Sequence, residues 1–130
     1  MSTHPHFDDR GLRWHTRYAD ALAEAKRDQK HVLVEYGRKA CGNCKSLVEA
    51  VLPAIKDEVE KHFVLLATDC DAPEEPVRAI GARHMSKATA LPFVLYLDSD
   101  GNFVYGTHGA RPKDSLLHDL RHGRGEKHAH

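Results

Sequence analysis

The chain has 130 residues, 41% hydrophobic and 29% charged, enough for one globular domain with its own core. Its 19 Lys and Arg balance 19 Asp and Glu, so no net charge draws it to nucleic acid or to an anionic membrane. No apolar run approaches the roughly 18 residues of a membrane helix, and the opening "MSTHPHFDDRGLRWH" has no apolar signal-peptide core.

A polar lead-in, residues 1–13, comes first. "WHTRYADALAEAKRDQK" then sets Tyr18, Leu22 and Ala25 on one face and predicts an amphipathic helix over about residues 16–29. "HVLVEYG" is apolar and β-branched and too short for a helix, so it reads as a strand covered on both faces. Helix signals resume at Cys41 and continue to Leu52, with Leu47, Val48, Val51 and Leu52 on the apolar side. Pro53 cannot extend the hydrogen-bond ladder and predicts a kink or a fresh helix, for which "PAIKDEVEKH" is suited. "FVLLATD" is a second buried strand. "PEEPVRAIG" carries helix start and stop signals, and "ARHMSKATA", residues 82–90, reads as a loop. "PFVLYL", "DSDG" and "NFVYG" make a hairpin. "PKDSLLHDLRHG" closes the chain with a helix that buries Leu116, Leu117 and Leu120 and stops at Gly123, before a disordered tail. Strands joined by helical crossovers run parallel and the hairpin runs antiparallel. The order predicts an α/β domain: a mixed sheet with helices on both faces.

Cys41, Cys44 and Cys70 are too few for a disulfide framework. A Cys-x-x-Cys pair can hold a metal, staple the chain or shuttle electrons. At the start of a helix, Cys41 faces unpaired N–H groups, and Arg38 and Lys39 add positive charge, surroundings that favour a thiolate. Cys44, one turn further on, is placed to attack a mixed disulfide on Cys41, and Gly42 and Asn43 between them are small enough to admit a partner's backbone. A structural zinc site needs four ligands, and Cys70 and His84 are poorly spaced to complete one. A staple over this spacing closes too small a loop to constrain the chain. Redox chemistry is the leading reading, with no metal expected. Of the eleven histidines, His4, His6, His122, His128 and His130 lie near the ends and read as solvated, weakly metal-binding residues. Cys70 reads as a small buried hydrophobe, the alternative being a regulatory or dimer-forming thiol.

"VLVEYGRKACGNCK", then "FVLLATDCD", then "ALPFVLYLDSDGNFV" together resemble the thioredoxin-like superfamily, and the lead-in from Trp14 through "YADALAEAKRDQKHVLVEY" resembles its branch related to bacterial disulfide reductase and isomerase domains. The resemblance spans roughly residues 14–120 and implies a thioredoxin-like fold, with a domain over residues 14–122 between the lead-in and a tail of residues 123–130. It implies that Cys41 is the nucleophile and Cys44 the resolving thiol. It also places Pro92 as a cis-proline that turns the Leu91 backbone toward the cysteines, where an extended peptide would pair with it, alongside Gly42 and Asn43. Glu35, the sole polar side chain of "VLVEY", falls where many members carry a buried acid. Burial raises a carboxyl pKa, so Glu35 is expected to accept and return the proton of Cys44; the alternative is a Glu reaching solvent or pairing with a lysine. Ala40 departs from the usual tryptophan, Asn43 from the proline of the most reducing members, and the 82–90 loop is longer, with His84, Met85 and Lys87 as candidates to line a peptide groove.

The function implied is a thiol–disulfide oxidoreductase that reduces or exchanges protein disulfides through the Cys41–Cys44 couple. It would need no organic cofactor, only a partner that regenerates the pair. The expectation is a cytoplasmic monomer, or a periplasmic one if a leader has been removed, acting on neither nucleic acid nor membrane. The alternatives are a redox-inactive client-binding module, or a metal carrier using Cys41, Cys44 and a histidine.

Overall fold

The two most apolar runs form the centre of the sheet. β2 (His31–Gly37) and β3 (Phe63–Asp69) pair in parallel from His31 opposite Phe63 to Gly37 opposite Asp69. β4 (Phe93–Leu97) lies antiparallel on the other side of β2, and β5 (Phe103–His108) is antiparallel to β4. The structure, a computed structural model, describes residues 2–126, and the sheet order is β1-β3-β2-β4-β5. Strand β1 (Trp14–His15) pairs in parallel with Leu65 and Leu66; two residues are too few to show an alternating pattern in the sequence. The architecture is the mixed α/β sandwich expected.

Alternation along β2 sorts its side chains into two cores. Val32 and Val34 pack with Ala21 and Ala25 of α1 (Tyr18–Asp28) and Val77 of α5 (Glu75–His84). Leu33 faces the opposite core, with Leu47, Val48, Leu52 and Val59 from the crossover and Leu116 and Leu120 of α6 (Lys113–Gly123). Glu35 and Gly37 follow Leu33 on that second face.

The crossover is not one helix to residue 52. It runs as α2 (Gly42–Ser46), a π turn (Leu47–Val51), α3 (Leu52–Ala54) and α4 (Lys56–His62). Pro53 explains the break: its ring collides with the carbonyl four residues back. The widened turn just before it, with Leu52 N–H donating to Leu47 O, relieves that clash.

Three other expectations change. Helix α5 continues through His84, so the loop is shorter than residues 82–90. At the N-terminus, Phe7 and Leu12 belong to the core and His4 is only 5% exposed. His4 is therefore not solvated, and His6 is half-buried; Thr3 ties the segment down, its Oγ1 donating to Asp9 (2.8 Å) and accepting from Trp14 N–H (2.8 Å). His122 lies within α6, stacked on Tyr105, and the turn beyond Gly123 is bonded back to the helix through Arg124 N–H to Leu120 O. His128 and His130 lie outside the described residues. No helix among the described residues is long and apolar enough to cross a membrane.

Candidate active site

Strand β2 ends at Gly37, and after four residues α2 begins, so the chain turns sharply at the end of the central strand. Cys41 is the N-cap of α2 in extended conformation, and its Sγ accepts the N–H of Cys44 at 3.2 Å. One orphan donor of the helix's first turn, the Cys44 N–H, is thus met by the Cys41 sulfur. Cys41 is half-exposed, whereas Cys44 is fully buried, and both are free thiols. Burial, then the hydrogen bond with Cys41 and the nearby Glu35 and Cys41 charges, push the Cys44 thiol up to about 12 against the opposing pull of the Arg38 backbone N–H.

Glu35 is 2% exposed on the same face of the sheet. Burial raises its carboxyl pKa, and the hydrogen bond from His4 works against that rise. Its partner is neither solvent nor a lysine but His4, with Nε2 at 2.8 Å from Oε1. The other oxygen, Oε2, lies with Cys44 Sγ over the α-carbon of Gly37, where any Cβ would collide with both. Glycine is needed at this position for that close approach, and it sets the acid beside the thiol, within reach through one water.

The peptide bond between Leu91 and Pro92 is cis, as the resemblance implied. Asn43 Nδ2 donates to Leu91 O at 3.3 Å, and Gly109 N–H serves the Ala90 and Pro92 carbonyls at 2.9 and 3.1 Å. Among the described residues the Leu91 N–H is paired with no acceptor. A groove of about 230 Å³ lies beside Pro92, lined also by Asn43, Leu47, Val51, Gly109 and Pro112 among others.

A family model described as thioredoxin-like matches residues 13–99. The chain belongs to this thioredoxin-like family. Its fold is similar to the solution structure of a thioredoxin from Thermus thermophilus, at TM-score 0.67 and 26% identity, over 92% of this chain and 98% of that one. It is similar as well to a Bacteroides thetaiotaomicron protein provisionally assigned as a disulphide-isomerase (TM-score 0.67, 28% identity, 87% and 91% covered). An oxidoreductase named DsbH shares the fold at 18% identity and TM-score 0.63, over 88% of this chain and 85% of that one. No curated protein sequence matches the chain.

Within this thioredoxin-like frame, several residues sit away from where the sequence suggested. Arg38 directs its guanidinium at Asp71, with Nη2 and Nε at 2.7 and 3.2 Å, and Lys39 is exposed. Among the described residues the hydrogen bond on Cys41 Sγ comes from the Cys44 amide rather than from either cation. His84 stacks flat on Phe103 at 4.0 Å, Met85 is buried in the α1/α5 core and Lys87 is exposed; none of the three lines the groove. Ala40 is exposed, so position 40 supplies no aromatic ring over Cys41. Cys70 is half-buried, its thiol pKa raised by burial, and with Asp69 and Asp71 it forms the one group of three potential metal ligands among the described residues. Cys41 and Cys44 gather no third ligand of that kind there. The sequence placed His4 among the solvated end histidines and did not connect it with Glu35, to which it is bonded.

Proposed function

We propose that this thioredoxin-like protein is a thiol–disulfide oxidoreductase that reduces or exchanges protein disulfides through Cys41 and Cys44. The observation that carries the reading is the asymmetry of the pair. Cys41 is half-exposed with an N–H aimed at its sulfur, and Cys44 is buried, held as a thiol beside a buried acid.

In the reductive direction Cys41 thiolate attacks one sulfur of the substrate disulfide. The Cys41–substrate S–S bond forms, the substrate's own S–S bond breaks, and the departing sulfur takes a proton. The Glu35 carboxylate then removes the Cys44 proton, and Cys44 attacks Cys41 Sγ. The mixed disulfide breaks, the second substrate sulfur leaves as a thiolate that takes its proton from solvent, and the Cys41–Cys44 disulfide remains, two electrons having passed to the substrate. A dithiol partner returns the pair to its reduced form. The extended substrate segment would use the open Leu91 N–H and place an apolar side chain in the groove beside Pro92. The cysteine couple is the only redox group this scheme needs, and the protein is proposed to work as a cytoplasmic monomer.

Reduction of a protein disulfide with dithiothreitol as regenerant tests the reading. Wild-type protein should accelerate it and Cys41→Ser should not. Equal acceleration by Cys41→Ser would refute it.

A further inference from the structure

We infer that His4 is a positioning residue for the Cys44 proton: by donating Nε2–H to Glu35 Oε1, it leaves Oε2 as the oxygen that exchanges a proton with the resolving thiol. The inference rests on the proposed disulfide exchange and assigns within it a part to the N-terminal segment.

The geometry fixes the tautomer. His4 Nδ1 accepts two backbone N–H groups, from His6 at 3.1 Å and Phe7 at 3.2 Å. A nitrogen accepting two donors carries no proton, so the proton of the neutral ring is on Nε2. Nε2 lies 2.8 Å from Glu35 Oε1, with both side chains buried. The ring is clamped on its faces and edge: Phe7 stacks on it at 5.2 Å and Trp14 meets it edge-on at 5.0 Å.

Glu35 has no other polar partner within the sheet. Its register neighbours are Ala67 on β3 and Val94 on β4, both apolar. The titratable groups that face it are His4 and His6 from the N-terminal segment, Asp69 from the end of β3 and Cys44 from α2. His6 Nε2 stands 3.7 Å from Asp69 Oδ2, which leaves His4 as the hydrogen-bond donor to the carboxyl. With Oε1 committed to His4, the proton that leaves Cys44 S–H arrives on Oε2. It returns by the same oxygen when the pair is reduced again. A hydrogen bond to the charged form favours that form, so His4 also keeps Glu35 able to act as a base despite its burial.

Two measurements test this. In the intact protein labelled with ¹⁵N-histidine, His4 should show protonated Nε2 and bare Nδ1 in both redox states; a proton on Nδ1 of the neutral ring, or exchange between tautomers, overturns the inference. The resolving step is then followed against pH by rapid mixing of a preformed mixed disulfide. His4→Phe, which keeps ring and stacking, should raise the midpoint of the rising limb by about one pH unit, while His4→Gln, which keeps a donor, should restore it to near wild type. A His4→Phe profile that superimposes on wild type, when Glu35→Gln alters the profile, makes His4 mere packing and sinks this inference alone. If Glu35→Gln leaves the profile unmoved too, the proton relay itself falls. Should His4→Phe not fold, the labelled wild-type spectrum still decides.

Discussion

Glu35→Gln should make the protein more stable and a poorer catalyst, and the gain in stability should depend on pH in a defined sense. The folded carboxyl pKa is raised by burial, so between the unfolded value, about 4.3, and the raised folded value the native state binds more protons than the unfolded one. Unfolding then releases a proton, and stability falls as pH rises through that window. Below pH 4 both states are protonated and the penalty vanishes. Each pH unit is worth about 1.4 kcal/mol, so the ceiling at pH 7 is about 3–4 kcal/mol. The His4 hydrogen bond to the charged form returns about 1.5–3 kcal/mol of it. The substituted amide keeps an oxygen for His4 and never ionises, so a gain of about 1–2 kcal/mol is expected at pH 7, or about 4–8 °C in Tm, shrinking to nothing by pH 4. The resolving step should slow by about 10²-fold. Urea melts of wild type and Glu35→Gln from pH 4 to 8 read the first effect and mixed-disulfide decay the second. A stability difference that stays constant from pH 4 to 7, or a loss at every pH, would refute the reasoning.

Three further outcomes follow from the same geometry. Because Cys44 is buried and its thiol is pushed up to about 12, iodoacetamide at pH 7 should label Cys41 well before Cys44 in the folded, reduced protein. Peptide mass spectrometry reads the order, and equal labelling would contradict the assigned roles. Gly37→Ala inserts a methyl between the Glu35 carboxyl and Cys44 sulfur and should cost about 1–3 kcal/mol by urea denaturation, as overpacking does; an unchanged midpoint would mean the two groups are not held there. Arg111 donates to both oxygens of Asp119, at 2.8 Å each, and Asp119 is fully buried. Arg111→Ala therefore strands a buried carboxylate and should destabilise by about 3–5 kcal/mol, while a loss under about 1 kcal/mol would show that the pair is solvent-relaxed.

The central sheet was legible because its strands are the chain's densest apolar runs and the helices between them force parallel pairing. The cysteine pair was legible because a helix start and its flanks are contiguous in sequence. What escaped the reading is long-range or directional. His4 reaches Glu35 across 31 positions, and an acid in an apolar strand announces that it needs a partner without saying which. The N-terminal segment has no period because it packs as an irregular loop around Phe7, Leu12 and Trp14. Arg38 is next to the cysteines in sequence, yet its side chain leaves toward Asp71, since adjacency along a loop does not set direction. The 82–84 stretch lacked a helical period because Ala82, Arg83 and His84 are exposed, which helix continuation does not forbid.

The most direct test of the account is covalent trapping with Cys44→Ser. Mixed with a disulfide-bonded protein substrate, this variant should accumulate a mixed disulfide that dithiothreitol releases, and peptide mapping should place the link on Cys41. A link on Cys70, or no adduct while Cys44→Ser still turns over substrate at the wild-type rate, would contradict it.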